Sequence, residues 1–133
     1  MNDQAIEQEI QAKGKTAPRI TPADIQAAIA SEHYFTAASA SMNGAHHICT
    51  DSATSINEQM KKLELLTFCV LVLRNGFTVT GESACASPEN FDAEIGSKIA
   101  RQNAEQKIWL LEGYLLKESL YNEQQEHPGE TNS

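Results

Sequence analysis

The stretch Leu65-Leu66-Thr67-Phe68-Cys69-Val70-Leu71-Val72-Leu73, then Arg74-Asn75-Gly76, then Phe77-Thr78-Val79-Thr80-Gly81-Glu82, decides the fold class of this chain. Two runs rich in Val, Leu, Phe and Thr on either side of Asn-Gly predict two strands joined by a tight turn. Asn-Gly at the centre of a two-residue loop suits a type I′ turn, in which both central residues take positive φ. That turn sets Arg74 opposite Phe77, Val72 opposite Val79, Leu71 opposite Thr80 and Val70 opposite Gly81. Phe68, Val70, Val72, Phe77 and Val79 then share one apolar face, the expected core. Thr67, Cys69, Leu71 and Leu73 share the other with Thr78, Thr80 and Glu82. That mixed face reads as a ligand wall, a subunit contact or a half-solvated surface.

Downstream, a long helix is expected from near Ser87 or Asn90 to about Tyr121, with room for a kink or a two-helix arrangement at Gly96. Ser87-Pro88-Glu89 supplies a cap, a first-turn proline and a first-turn acid. Phe91, Ile95 and Ile99 form one apolar row; Ala100, Ala104, Ile108, Leu111 and Leu115 form another. Past residue 107 the helix is apolar nearly all round, with Ile108, Trp109, Leu110, Leu111, Tyr114, Leu115, Leu116 and Leu120. A helix apolar on every side wants neighbours on every side. A two-stranded hairpin is too small to supply them, so a partner chain, most simply a second copy, is expected.

Upstream, Thr21 is placed to cap a helix that has Pro22 at its first position and Asp24 in its first turn. Ile20 can staple onto Ile25, and the helix is expected to run to Ser31 or Phe35. Residues 3–13 form a weaker helix candidate, ended by Gly14 and Pro18. From Thr36 to Asn57 the residues are small and polar, which reads as a long loop. The domain reading is an extension over 1–17, one α+β domain over 18–122, and a polar tail over 123–133.

The chain has 133 residues, 41% of them hydrophobic, enough for one modest core. Ten basic residues against 18 acidic ones give a net charge of −8, a poor field for nucleic acid phosphate. DNA is therefore an unexpected partner, whereas a small anion needs only a few local cations. No run approaches the length a bilayer requires, and the acidic amino terminus is unlike a secretory signal. Cys49, Cys69 and Cys85 are odd in number and widely spaced, which argues against a disulfide framework. A cytoplasmic protein without a membrane partner is expected.

The run 75–85, then Asn90-Phe91-Asp92, Glu94-Ile95-Gly96, Ala100-Arg101 and Lys107-Ile108-Trp109, resembles a family of small tailed-phage proteins. Upstream Arg19-Ile20-Thr21-Pro22 and Tyr34-Phe35 match the same proteins. The resemblance spans about residues 18 to 120, weakly between 36 and 62, and the family includes the first-described Thoeris anti-defence protein. It implies sequestration: relatives of that protein bind a cyclic ADP-ribose-type messenger made by TIR enzymes without cleaving it, and some hold cyclic oligonucleotides.

For such a ligand the candidate contacts are Arg74, Asn75, Phe77, Asn90, Phe91, Lys98, Arg101 and Lys107. Glu94, Lys98, Arg101 and Glu105 fall on one helical stripe. Arg101 beside Lys98 can grip a phosphate, or the stripe can be a solvated row of ion pairs worth a few tenths of a kcal/mol each. Arg74 at the hairpin corner is a phosphate contact or a solubilising flank. Phe77 and Phe91 can stack on a purine or pack in the core. Asn90 can read a base edge or bond near the helix start, and turn chemistry alone accounts for Asn75-Gly76. His46-His47-x-Cys49 has zinc-type donors, but a structural site wants four and no fourth is evident, so no metal is expected. Glu82 and Ser83 near Cys85 lack a nucleophile motif. The expectation is an α+β homo-oligomer, with amino-terminal helices, a hairpin core and a long carboxy-terminal helix. It would be a non-enzymatic, cofactor-free binder of a nucleotide signal; the alternative is a phage accessory protein that binds and blocks a host enzyme.

Overall fold

The computed structural model describes residues 2–15, 17–42 and 46–126. The chain is α+β. In order, the elements are α1 (Asp3–Ala12), α2 (Pro22–Ala28), β1 (Ile29–Thr36), α3 (Ala37–Ser41), α4 (Ile56–Leu63), β2 (Leu66–Leu73), β3 (Thr78–Ala84), a 3-10 turn (Pro88–Asn90) and α5 (Ala93–Glu126). They divide into two compact units, one drawn from residues up to Ala28 and from Lys107 onward, the other spanning Ile29–Gln106.

In the first unit the cap at Thr21 forms as its residue types require. The Asp24 amide donates to Thr21 Oγ1, and Asp24 Oδ2 accepts from the Thr21 amide at 2.9 Å. Two side-chain ties hold α1: Arg19 grips the Glu7 carboxylate at 2.5 and 2.7 Å, and Trp109 Nε1 donates to Asp3 Oδ2 at 3.1 Å. Ile25 and Ile108 are fully buried. The hydrogen bond from Arg19, then one from Gln11, holds the Glu7 carboxyl down at about 2. A depressed carboxylate stabilises the fold above its ordinary value near 4.5, and that contribution fades as pH falls through about 2. Carbon-detected titration should therefore place the Glu7 midpoint near 2, and Arg19→Ala should return it to the ordinary carboxylate range. A Glu7 midpoint near 4.5 in the parent protein would show that the Arg19 fork does not form in solution.

The second unit is built on an antiparallel sheet of order β1-β2-β3. Its first strand corrects the expected helix end. Residues 29–36 leave the helical path at Ala28 and run extended, pairing from Ile29 opposite Leu73 to Thr36 opposite Thr67, with an irregularity between Ile29 and Ser31. Ile, Tyr, Phe and Thr in this segment suit a strand, and the ladder to β2 outweighs the helical pattern inherited from α2. The hairpin core is thus three-stranded. The expected loop over 36–57 is also shorter. Thr36 caps α3 in a reciprocal box with Ser39, and Ser55 caps α4; residues 43–45 of that segment lie outside the described residues.

The hairpin register departs from expectation by one residue. Leu71 faces Val79, Val70 faces Thr80 and Cys69 faces Gly81. Gly76 alone in the loop has positive φ, at 89°, so Asn75 cannot take part in a type I′ turn. Instead the Gly76 amide donates to the Leu73 carbonyl at 2.9 Å, and the Leu73 amide donates to the Phe77 carbonyl at 2.8 Å. This is a type I turn followed by a left-handed glycine, the usual three-residue hairpin loop. One extra loop residue slides β3 against β2 and changes which faces coincide. The core face of β2 is consequently Thr67, Cys69, Leu71 and Leu73, all buried, with Val79 and Gly81 from β3. Phe68, Val70 and Val72, expected inside, stand half-buried on the opposite face, where Phe68 stacks on Phe35 at 5.6 Å between ring centres.

Helix α5 is one unbroken 34-residue helix, without a break at Gly96 and extending past Tyr121 to Glu126. It starts later than Ser87 or Asn90. Pro88–Asn90 closes as a 3-10 turn, and Asp92 then caps the helix by accepting from the Ile95 amide at 3.0 Å. Its fully buried Ala100 and Ala104 meet β3 at Gly81, where the two backbones nearly touch. Gly96 likewise lies under Thr67. Small residues on both sides are what let the helix settle this close to the strand.

Candidate functional site

The most connected group of charged side chains in the sheet unit centres on Arg101. Its Nη1 donates to Glu32 Oε2 at 2.7 Å and its Nε to Glu105 Oε1 at 2.8 Å, joining α5 to β1. Tyr34, two residues along β1 from Glu32, sends its hydroxyl to Glu32 Oε1 at 3.3 Å and also bonds the Cys69 thiol. Burial, then the negative charge available at Cys69 and Glu32, pushes the Tyr34 phenol up to about 12. Burial likewise raises the Cys69 thiol. Burial works against the charge on Arg101, but the hydrogen bond to Glu105 and the field of Glu32 outweigh it, so its pKa rises. Arg101 is thus a firmly charged clasp between two carboxylates.

That placement changes the reading of the helical stripe. Lys98 pairs with Glu94 at 3.2 Å with both side chains exposed, whereas Arg101 and Glu105 are partly buried. Counting Glu32, the patch holds two cations and three carboxylates. A phosphate arriving at Arg101 would have to displace at least one carboxylate already within hydrogen-bond distance.

The remaining candidates fall into separate places. Arg74, Asn75 and Phe77 sit together on the hairpin loop, where Asn75 Oδ1 accepts from the Phe77 amide at 3.0 Å. Phe77 is 57% exposed, not a core residue. Asn90 is exposed in the 3-10 turn, and half-buried Phe91 lies beside Gly96, near the Thr67 end of β2. The hairpin loop leaves the Leu73 end of that strand, so the two groups stand apart by roughly 20 Å at about 3.3 Å per residue. Within one chain they do not form a single pocket. Lys107 is exposed and belongs to the other unit.

Glu32 and Tyr34 are not among the sequence candidates, because the helical pattern of α2 continues into their segment. The available signal was the run Ser31-Glu32-His33-Tyr34-Phe35-Thr36, whose composition suits an edge strand. The segment carrying His47 and Cys49 folds over α4 around a cavity of about 240 Å³, lined by Cys49, Asp51, Ile56, Gln59 and Leu63 among others. His47 Nε2 lies 3.3 Å from the Ser41 carbonyl, and among the described residues no group of three or more His, Cys, Asp or Glu is arranged to hold a metal. Nor is any helix among the described residues long and apolar enough to cross a membrane.

No curated protein and no solved structure matches the chain. A family model does, over residues 20–120, a span that includes the sheet, the hairpin loop and the buried part of α5. The chain therefore belongs to the phage protein family described as N4 Gp49/phage Sf6 gene 66.

Proposed function

We propose that this phage protein acts by binding rather than catalysis, holding a nucleotide signal of the cyclic ADP-ribose type, or a cyclic oligonucleotide, without cleaving it. The observation that carries the reading is Phe77, an aromatic ring left 57% exposed on a tight loop beside Arg74. A loop that carries an exposed ring and an arginine supplies the residue types for base stacking and phosphate pairing. Asn90, Phe91 and Lys98 offer similar chemistry about a strand length away. A second copy that brings one group against the other completes a pocket that a single chain leaves open. The resemblance noted above for residues 75–109 supports the same ligand class.

A second reading, binding to a host enzyme, is favoured by the outer face of α5. There Leu110 is 76% and Tyr114 70% exposed, and with Leu115 they make an apolar strip of the kind that marks a protein contact.

Calorimetry with cyclic ADP-ribose isomers and cyclic oligonucleotides separates the two. Binding, with intact ligand recovered after heat denaturation, is expected; an altered ligand would mean catalysis, and no heat with any nucleotide favours the protein partner. Phe77→Ala should weaken nucleotide binding by about tenfold or more if the ring stacks on a base. Because Phe77 is exposed, its melting temperature should stay that of the parent. Undiminished binding by Phe77→Ala removes the loop from the site.

A further inference from the structure

The two edges of the sheet are finished differently. Alternation from the Leu73–Phe77 and Cys85–Leu65 bonds makes Leu73, Leu71, Cys69 and Thr67 the residues bonded to β3. Phe68, Val70 and Val72 therefore bond to Phe35, His33 and Ser31, and the amides and carbonyls of Glu32, Tyr34 and Thr36 point away from the sheet. On the β3 edge, Asn103 Nδ2 stoppers the outward carbonyl of Glu82 at 2.8 Å. On the β1 edge, Thr36 is taken up by the Ser39 box, its amide donating to Ser39 Oγ at 3.0 Å and its carbonyl accepting from the same hydroxyl at 2.9 Å. Among the described residues no group bonds the outward backbone of Glu32 or Tyr34. Both residues are exposed. Edge strands are ordinarily guarded by charged side chains, Pro or a bulge; from Ser31 to Thr36 β1 has neither Pro nor a bulge, and its one carboxylate, Glu32, is drawn onto Arg101.

We propose that β1 is a dimerisation edge: two copies of the chain join β1 to β1 antiparallel, centred on His33, into one continuous sheet. The register follows from which groups are open. With His33 opposite His33, Glu32 of each copy faces Tyr34 of the other, and each such pair exchanges both of its backbone hydrogen bonds. All the open groups at 32 and 34 are then used. Centring on Glu32 would set two carboxylates directly opposite, a repulsive pair. Centring on Tyr34 would direct Glu32 at Thr36, whose backbone is already occupied. The chosen register also gives each Tyr34 a carboxylate neighbour across the seam, and it doubles the apolar face of Phe35, Phe68, Val70 and Val72. The proposal is independent of the nucleotide reading.

Cross-linking tests it without reference to any ligand. His33→Cys, in a Cys49→Ser background so that the exposed native thiol is absent, should form a covalent dimer on mild oxidation, since facing residues at a non-bonded pair come within disulfide reach. Adding Glu32→Pro removes one outward amide and should abolish that dimer. Adding Glu32→Ala, which loses the same carboxylate but keeps the amide, should preserve it. In the unmodified protein the Glu32 and Tyr34 amides should exchange at least about tenfold more slowly in concentrated than in dilute solution. The idea is overturned if the cysteine variant stays monomeric while melting like its parent, if the proline variant cross-links as readily as the alanine one, or if those amides exchange at one rate at every concentration. A strand-binding edge meant for another protein would give that last result.

Discussion

Gly81→Ala is expected to destabilise the protein by about 3 kcal/mol or more, the upper range for overpacking a core. A methyl placed there would stand 2.1 Å from the Ala100 carbonyl oxygen and 2.4 Å from the Ala104 nitrogen. Both are backbone atoms of α5, so no side-chain rotation relieves the clash. Either the helix lifts from the sheet, opening space around Cys69 and Leu71, or β3 bends away and strains its ladder to β2. At roughly 4 °C per kcal/mol for a chain of this size, thermal melting should fall by about 12 °C. Gly113→Ala is the matched control. A methyl there meets nothing within 4 Å, so the change should instead stabilise the helix by up to about 1 kcal/mol. A Gly81→Ala protein that melts within a couple of degrees of its parent would mean that α5 does not press on β3.

Leu71→Ala is expected to cost about 3 kcal/mol, within the usual range for emptying a buried leucine site. Leu71 is fully buried on the sheet face that carries Gly81, while Val70 beside it is half-buried on the other face. Val70→Ala should cost less than half as much, about 1 kcal/mol. The comparison tests which face of β2 is buried, since the apolar pattern alone puts Val70 inside and Leu71 on the mixed face. Urea unfolding should show the Leu71→Ala midpoint well below that of Val70→Ala with similar slopes. The reverse order would mean that Val70, and not Leu71, packs inside.

Much of the molecule was legible in its residues. Thr21-Pro22-Ala23-Asp24 announces a helix start, because a hydroxyl, a φ-restricted ring and an acid are what its unpaired amides ask for. The β2 and β3 runs are too rich in Val, Leu, Phe and Thr for anything but strands, and Ala100, Ala104 and Ile108 repeat at helical spacing and are all fully buried. The resemblance over about residues 18 to 120 pointed to a phage protein, and the family match over residues 20–120 shows a phage protein family.

Other features were settled by contacts between segments distant in the chain. Asn75-Gly76 is compatible with a two-residue and a three-residue hairpin loop, and the three-residue form sets Leu71, Cys69 and Leu73 on the sheet face on which Gly81 meets the α5 backbone. Residues 29–36 are locally ambiguous, and a neighbouring strand with open hydrogen-bonding groups decides the matter. Arg101 reads as an anion grip on its own helix. Only when β1 arrives, 69 residues away in the chain, does Glu32 turn it into a clasp. Local chemistry chose helix starts, strand runs and buried rows; register, face and the partners of each charge follow from long-range packing, which no short window of residues contains.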